Sequence, residues 1–288
     1  MHRLLIPLLL ALSTLLSACS PVGVLNALSP TDSYTKTADI AYGNDPRQQL
    51  DIYAPTQKKA GPTPVVLFFY GGSWNSGERA DYQFVGEALA SRGYVAVIAD
   101  YRLYPQVRYP EFLKDSAHAF AWVHNNIATY GGDAKHLFVM GHSAGGYNAA
   151  MLALDPRLLA AEGLSPANMR GWIGLAGPYD FLPIKNPDVR PVFFYPNSPA
   201  DSQPINHISA NVPPTLLLAA RDDELVNPQR NTGGLAKRLR DAGVTVSEHY
   251  YEGVNHITLV AALAKPLRGK APALEEIARF IDSDADRP

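Results

Sequence analysis

Cysteine is nearly absent from this 288-residue sequence: Cys19 is the only one, so no disulfide can form within the chain. The sequence also has little excess of either charge, because its formal net charge is −2 and it contains no run of like charges. It has no fixed-period repeat either. The sequence therefore lacks the basic field that nucleic-acid binding requires, and a repeat array is excluded. Neither an H-E-x-x-H motif nor a cluster of cysteine and histidine ligands is present, so we expect no metal and no other cofactor.

What is present is an ordinary globular composition, with 47% hydrophobic and 18% charged residues, behind an N-terminal segment of different character. Residues 1–18 place Arg3 before a leucine-rich stretch that ends in small residues. The apolar run is short and contains Pro7, which favours a secretory signal over a membrane-spanning helix. We expect this signal peptide to be removed from the mature protein.

The segment LSAC, which ends at Cys19, resembles the lipobox of bacterial lipoproteins. In that family the cysteine becomes the first residue after cleavage and carries lipid, and stable anchoring requires more than one acyl chain. The resemblance implies a lipid anchor at Cys19 in the bacterial cell envelope, and Ser20 in place of an aspartate favours the periplasmic side of the outer membrane. A plain secretory signal with an incidental cysteine is the alternative. Residues 19–37 show no periodicity and are expected to form a tether, followed by a folded domain over residues 38–288.

Beyond the tether, apolar segments of strand character alternate with amphipathic segments of helix character. The expected strands are 38–43, 48–55, 64–70, 94–102, 136–141, 171–177, 214–220 and 246–253. The expected helices are 83–93, 112–132, 145–155, 230–243 and 273–281. Because parallel strands need crossover connections, this alternation predicts an α/β fold with a mostly parallel sheet and helices on both faces.

The sequence GHSAG, residues 141–145, is a G-x-S-x-G motif between an expected strand and an expected helix, as a nucleophile elbow requires. Such a turn strains the backbone of its central residue by about 1–3 kcal/mol, and flanking glycines remove side chains that would collide with neighbouring strands. The motif predicts Ser143 as a nucleophile at a helix N-terminus, where the helix dipole favours negative charge. A glycine-rich helix start that Ser143 merely caps is the alternative.

A serine nucleophile needs a base, and the base needs an acid that orients it. In this type of fold the acid and then the histidine follow the serine along the chain, in loops after strands. The segment RDDELV offers Asp222, Asp223 and Glu224 as acids after one strand, and the segment GVNH offers His256 as the base after the last strand.

The segment GGS, residues 71–73, follows an expected buried strand with two residues that have no side chain and one that has a small one. When a serine attacks a carbonyl group, the oxygen becomes an oxyanion that needs donors placed in advance. Removing one such donor cost about 2.7–4 kcal/mol in a studied protease. Glycines allow backbone N–H groups to approach the substrate closely, so this segment predicts an oxyanion hole. A plain glycine turn is the alternative.

The segments YGGSW, GHSAGG, AGPYDF, DDELV and GVNH together resemble the α/β-hydrolase superfamily. The resemblance is closest to small carboxylesterases of the hormone-sensitive-lipase and feruloyl-esterase-like type, and it covers roughly residues 39–281. It implies an α/β-hydrolase fold in which the acid stands three residues before the valine of a D-x-x-V pattern, which is Asp223. Asp180 remains an outside candidate, since some hydrolases carry the acid after the earlier strand.

The same resemblance assigns the oxyanion donors to the amides of Gly72, Ser73 and Ala144, and it places Trp74 in the substrate pocket. One departure concerns Tyr70, which stands where the family usually has histidine. We expect activity to survive this change, because the histidine of that position shapes the loop and is not the base.

A proline-rich stretch over residues 181–214 falls between two expected strands, where α/β hydrolases often insert a cap. Its aromatic residues Phe193, Phe194 and Tyr195 either present an apolar wall to substrate or only hold the cap down.

The expected function is that of a serine carboxylesterase, which hydrolyses a small-molecule ester with a small to medium acyl group through an acyl-enzyme. An arylformamidase-like amide hydrolase is a close alternative, because the G-G-x-W pattern also resembles that family, although the signal sequence weighs against it. A non-catalytic envelope lipoprotein on a hydrolase scaffold is a more distant one, since such relatives typically lose a member of the triad.

Overall fold

The computed structural model describes residues 21–57 and 59–283. The expected signal peptide and the lipidation site at Cys19 lie outside the described residues. Within these ranges no helix has both the length and the apolar character needed to cross a membrane.

The core of the fold is one eight-stranded sheet with the strand order β1-β2-β4-β3-β5-β6-β7-β8. Strand β2 runs antiparallel to β1 and β4, and the other neighbouring strands are parallel. The strands are β1 Tyr34–Ala41, β2 Gln49–Pro55, β3 Val65–Phe69, β4 Val95–Ala99, β5 Leu137–His142, β6 Gly171–Leu175, β7 Thr215–Ala220 and β8 Val246–Tyr251. The predicted α/β fold with a mostly parallel sheet is confirmed.

Helices connect the parallel strands and cover both faces of the sheet. They are α1 Pro21–Ala27, α2 Gln83–Ala90, α3 Glu111–Asn126, α4 Ala144–Leu154, α5 Pro156–Ala160, α6 Gly234–Asp241, α7 His256–Ala261 and α8 Ala273–Asp282. The chain moves one way along the sheet from β3 to β4 and the other way from β4 to β5. Right-handed crossovers therefore place α2 on the face opposite to α3 and α4. Helix α8 lies on the side of α2, because Glu275 pairs with Arg92 just after α2 at 2.8 Å.

The N-terminal region is more ordered than its sequence suggests. Strand β1 begins at Tyr34 rather than at Ala38, and helix α1 occupies part of the expected tether. The side chain of Asn26 holds α1 in place by donating to the Ala80 carbonyl at 2.9 Å and accepting from the Phe84 N–H at 3.1 Å. A helix of one or two turns carries too few apolar positions to show a period, so tertiary contacts decide its structure.

The C-terminal part of the chain is joined to α2 by a buried ion pair. Glu87 on α2 is 2% exposed, and its carboxylate accepts from the Arg268 guanidinium at 2.5 Å. Burial raises the pKa of the Glu87 carboxyl, an effect that the charge of Arg268 opposes. A buried carboxylate without its cation is strongly destabilising.

We predict that Arg268→Met lowers the free energy of unfolding by about 2–3 kcal/mol, because it leaves the Glu87 charge buried and unpaired. The double variant Arg268→Met/Glu87→Gln should recover most of that loss in urea titrations. Arg279→Met is the matched control, since Arg279 is 68% exposed in its pair with Glu276 and should change stability by less than about 0.5 kcal/mol. A double variant no more stable than Arg268→Met would contradict this account.

Candidate active site

The candidate site lies at the carboxyl ends of β3 and β5, where the strand order reverses. Open parallel sheets bind ligands at such a switch point, because loops from neighbouring strands diverge there and leave a crevice. The loop that follows β3 contains the segment GGS, and the turn that follows β5 contains Ser143. The fold thus brings two of the predicted motifs side by side.

The turn between β5 and α4 has the geometry of a nucleophile elbow. Ser143 has φ 53° and ψ −121°, in a region that residues with side chains rarely occupy. A Cβ atom on Gly145 would lie 2.0 Å from the Phe69 carbonyl oxygen, and one on Gly141 would lie 2.1 Å from the Gly145 carbonyl oxygen. The collision expected from the sequence is therefore with the backbone of β3 and of the helix itself.

Three predicted residues from distant parts of the chain form one hydrogen-bonded path. The His256 Nε2 atom lies 2.8 Å from the Ser143 hydroxyl oxygen, and its Nδ1 atom lies 2.7 Å from Asp223 Oδ2. The side chain of Asp223 is 1% exposed and that of His256 is 9% exposed. A base must lie within hydrogen-bond reach of the proton that it removes, and this arrangement meets that condition.

The Asp223 carboxylate is held in its charged form by three groups. Burial on its own would raise the pKa of Asp223, but the hydrogen bond and charge of His256 and two backbone amides lower it below its usual value. These amides belong to Leu225 and Val226 and donate to Oδ1 at 2.9 and 2.8 Å, so Oδ2 is left for the histidine. An ionised carboxylate in this position can stabilise an imidazolium.

The other acid candidates do not contact the histidine ring. Asp222 and Glu224 are exposed, on either side of the buried Asp223, although Glu224 also lines the cavity. Asp180, another lining residue, forms a bidentate ion pair with Arg230 at 2.9 and 3.0 Å. Among the residues that the structure describes, Asp223 is therefore the carboxylate that bonds the His256 ring.

His256 is the first residue of helix α7, whereas the sequence predicts a loop at this point. The side chain of Asn255 accepts from the N–H groups of Ile257 and Thr258 at 3.1 and 2.9 Å. The hydroxyl of Thr258 accepts from the Asn255 N–H at 2.7 Å, which completes a capping box. Asn255 followed three residues later by Thr258 was the signal that could have located this helix.

The loop after β3 passes beside Ser143 in an unusual backbone conformation. Gly72, Ser73 and Trp74 have consecutive positive φ values of 128°, 51° and 57°. A Cβ on Gly71 would lie 3.0 Å from the Ser143 Cβ, so the loop passes directly beside the nucleophile. Ser73 and Ala144 line the same cavity as Ser143. Gly72 directly precedes Ser73 in the chain and is not one of the described residues that line it.

The three amides assigned to the oxyanion hole remain available as donors. Among the residues that the structure describes, none of the N–H groups of Gly72, Ser73 and Ala144 donates to a protein acceptor. The Gly72 carbonyl, in contrast, accepts from the N–H groups of Asn75 and Ser76 at 3.0 and 3.1 Å. The Gly72 carbonyl thus closes the turn of the loop, and the amides of Gly72 and Ser73 stay available to a ligand.

Tyr70, at the end of the strand that leads into this loop, is held by ring stacking and by hydrogen bonds. Its ring is stacked between those of Tyr82 and Tyr101, with centroids 5.4 and 5.1 Å away. Its hydroxyl donates to Asp100 Oδ1 at 2.6 Å and accepts from Arg47 Nη2 at 2.7 Å. Burial, the largest effect, raises the pKa of Tyr70 well above its ordinary value, so the hydroxyl stays protonated.

A cavity of about 1010 Å³ opens over Ser143 and His256. Both apolar and charged residues line it. The apolar ones include Trp74, Phe181, Pro183, Ile184 and Val189, and the charged ones include Asp180, Lys185 and Arg230.

Trp74 lines this cavity, where the sequence predicts it, and a hydrogen bond and an aromatic contact hold its ring in place. The indole N–H donates to Asn148 Oδ1 at 3.0 Å, and the ring of Phe193 packs edge-on against it at 4.8 Å.

The three aromatic residues singled out in the proline-rich stretch, Phe193, Phe194 and Tyr195, do not line the cavity. Phe193 is buried, whereas Phe194 and Tyr195 are exposed beneath the guanidinium groups of Arg108 and Arg190. The apolar wall is built instead by Phe181 and the residues that follow it. In the part of the chain that the structure covers, no cluster of His, Cys, Asp and Glu side chains could hold a metal ion.

A family model and several known proteins match this chain. The BD-FAE family model matches residues 50–239. A probable isoprenylcysteine alpha-carbonyl methylesterase of Arabidopsis thaliana is 31% identical over 80% of this chain and 52% of its own length. Esterase LipC of Mycobacterium tuberculosis is 31% identical over 72% of this chain and 56% of its own. The chain thus spans little more than half the length of these curated relatives.

Solved esterases share the fold. Esterase B from Lactobacillus rhamnosis superposes with a TM-score of 0.77 at 19% identity and covers 97% of both chains. An esterase from Pyrobaculum calidifontis gives a TM-score of 0.72 at 25% identity, over 92% of this chain and 90% of its own.

We predict that Tyr70→Phe slows the labelling of Ser143 by a fluorophosphonate about tenfold. The change leaves Asp100 and Arg47 each without one partner, at a cost of about 1–3 kcal/mol, and loosens the loop that carries the amides. Tyr94→Phe is the matched control, because it removes another buried hydroxyl, bonded to Asp282 at 2.9 Å, just before β4 begins. That control should lower the melting temperature and leave labelling unchanged. Equal labelling rates in the two variants would contradict the assignment.

Proposed function

The chain belongs to the BD-FAE family, and from that premise we propose that it is a serine hydrolase that cleaves small to medium carboxylic esters. The observation that carries the proposal is the continuous hydrogen-bonded path from Asp223 through His256 to Ser143, beside amides that have no protein partner among the described residues. Relatives that are named esterases and carboxylic ester hydrolases support the same chemistry.

In the first half of the proposed reaction, the Ser143 oxygen attacks the ester carbonyl carbon and His256 Nε2 takes the hydroxyl proton. The negative charge that develops on the carbonyl oxygen is received by the amides of Gly72, Ser73 and Ala144. The imidazolium of His256 faces the Asp223 carboxylate at 2.7 Å, which stabilises its positive charge. Collapse of the intermediate breaks the bond to the alcohol, which leaves with the proton from Nε2.

In the second half, water takes the place of the alcohol. His256 removes a proton from this water, whose oxygen attacks the acyl carbon, and the same amides receive the charge. The bond to the Ser143 oxygen then breaks and the serine regains its proton from Nε2. The products are a carboxylic acid and an alcohol, and no cofactor takes part.

The residues that line the cavity suggest which parts of an ester it can accept. Its apolar residues, among them Trp74, Phe181 and Ile184, suit a hydrocarbon chain, because burial stabilises it by about 25 cal/mol per Å² of apolar surface. Its charged residues, among them Asp180 and Arg230, suit a polar part of the substrate that remains hydrated. A cavity of about 1010 Å³ has room for a small-molecule ester.

We predict that Ser143→Ala lowers the turnover of p-nitrophenyl acetate by at least about 10⁴-fold, because the reaction then has no nucleophile. The melting temperature should stay the same or rise slightly, since the substitution keeps the fold. Ser209→Ala, at an exposed serine that does not line the cavity, is the matched control and should retain full turnover. Turnover that survives in Ser143→Ala would refute the proposed role of this residue.

We also propose that the protein is attached to the cell envelope through lipid on Cys19, on the periplasmic side of the outer membrane. The lipobox-like segment LSAC supports this, and only Ser20 separates Cys19 from the start of helix α1. That spacing would hold the folded domain close to the membrane.

We predict that Cys19→Ala moves the protein from the membrane fraction to the soluble fraction and abolishes incorporation of labelled fatty acid, because the thiol that accepts the lipid is gone. Ser20→Ala is the control and should be labelled like the unchanged protein. A wild-type protein that takes up no label would show that the lipobox resemblance is incidental.

A further inference from the structure

His142, the residue before the nucleophile, touches the catalytic base. Its ring lies beside that of His256, with centroids 5.0 Å apart and an interplanar angle of 46°. Its Nε2 atom lies 2.9 Å from the backbone carbonyl oxygen of His256. A carbonyl oxygen can only accept a hydrogen bond, so Nε2 carries the hydrogen and Nδ1 carries the lone pair.

This second histidine is held neutral. Burial, with a contribution from the nearby His256, lowers the pKa of His142 to about 3. Its Nδ1 atom is buried and has no hydrogen-bond partner within the described part of the chain. No proton acceptor role in the reaction is open to Nδ1, because no substrate can reach it. What His142 offers the site is its Nε2–H.

The hydrogen bond from His142 gives His256 a link to the central sheet. His256 is the first residue of a six-residue helix, and the capping bonds of Asn255 stay within that helix and its own turn. Within the part of the chain that the structure describes, the ring nitrogens of His256 bond only Asp223 and Ser143. The bond to His142 instead joins the backbone of the base to the end of β5, next to Ser143.

We propose that His142 is a positioning residue, whose Nε2–H fixes the backbone of His256 so that the base stays within reach of the Ser143 hydroxyl. The inference rests on the proposed hydrolase function and adds to it a residue outside the triad. A displacement of about 1 Å at such a site can cost about 100-fold in rate, so a single bond that fixes the base has a measurable effect.

The test compares three variants at position 142. Glutamine can place an amide N–H near the position of Nε2, leucine fills a similar volume without a donor, and asparagine carries a donor that is too short to reach. We expect His142→Leu and His142→Asn to lower kcat for p-nitrophenyl acetate by about 10- to 100-fold with KM within about twofold. His142→Gln should stay within about threefold of the unchanged protein. Fluorophosphonate labelling of Ser143 should slow in the same order.

His207→Leu is the matched control, because His207 also bonds a backbone carbonyl through Nε2, that of Asp201 at 2.6 Å, and does not line the cavity. This variant should lose stability without a change in kcat or labelling rate, which separates positioning from general stabilisation.

Two results would overturn the inference: kcat and labelling that are unchanged in His142→Asn, or losses that are equal in His142→Gln and His142→Leu while all variants fold cooperatively. If His142→Leu does not fold, the contrast between glutamine and asparagine decides the matter. If the unchanged protein neither reacts with the fluorophosphonate nor turns over any ester, the proposed function itself fails, which is a different outcome.

Discussion

The close approach of backbone between β3 and the start of α4 is the constraint on which the rest of the site depends. Gly145 sits against the Phe69 carbonyl so closely that even a methyl group would lie 2.0 Å from that oxygen. Only this approach lets α4 begin directly beside the oxyanion loop, with Ser143 raised between them. The serine hydroxyl and the amides of two separate segments therefore share one small volume, as charge stabilisation at a carbonyl oxygen requires.

The strained oxyanion loop is maintained by a buried polar network behind it. The positive φ values of Ser73 and Trp74 cost free energy, and they persist only where the surroundings fix them. Here Tyr70 is held by Asp100 and Arg47, and Arg47 also donates to the Gly77 carbonyl at 2.8 Å. The Tyr101 hydroxyl donates to the Tyr70 carbonyl at 2.8 Å, so both the side-chain hydroxyl and the backbone carbonyl of Tyr70 are held by hydrogen bonds. These partners hold Tyr70 at the point where the chain enters the loop.

Local patterns were enough to predict the sheet, the elbow and the residues brought together as the triad, because each depends on neighbours in the sequence or on strand ends that the fold aligns. The sequence could not show the bond between His142 and His256, which joins residues 114 apart, or the stacking of Tyr70 on Tyr101. Periodicity reports which face of an element is buried but not which side chain meets it there. The short helix α1 and the packing of Phe193 behind Trp74 were not predictable for the same reason.

The two neighbouring histidines show how surroundings give one residue type opposite properties. His256 has a buried carboxylate at 2.7 Å from Nδ1, so a proton taken by Nε2 creates an ion pair. His142 has a neutral carbonyl at Nε2 and no partner at Nδ1 among the described residues, so a proton there would create a buried charge without compensation. Positive charge can therefore develop on only one of two rings whose centres are 5.0 Å apart. The structure thus separates the two histidines by placing a carboxylate beside the ring of His256 and a neutral carbonyl beside that of His142.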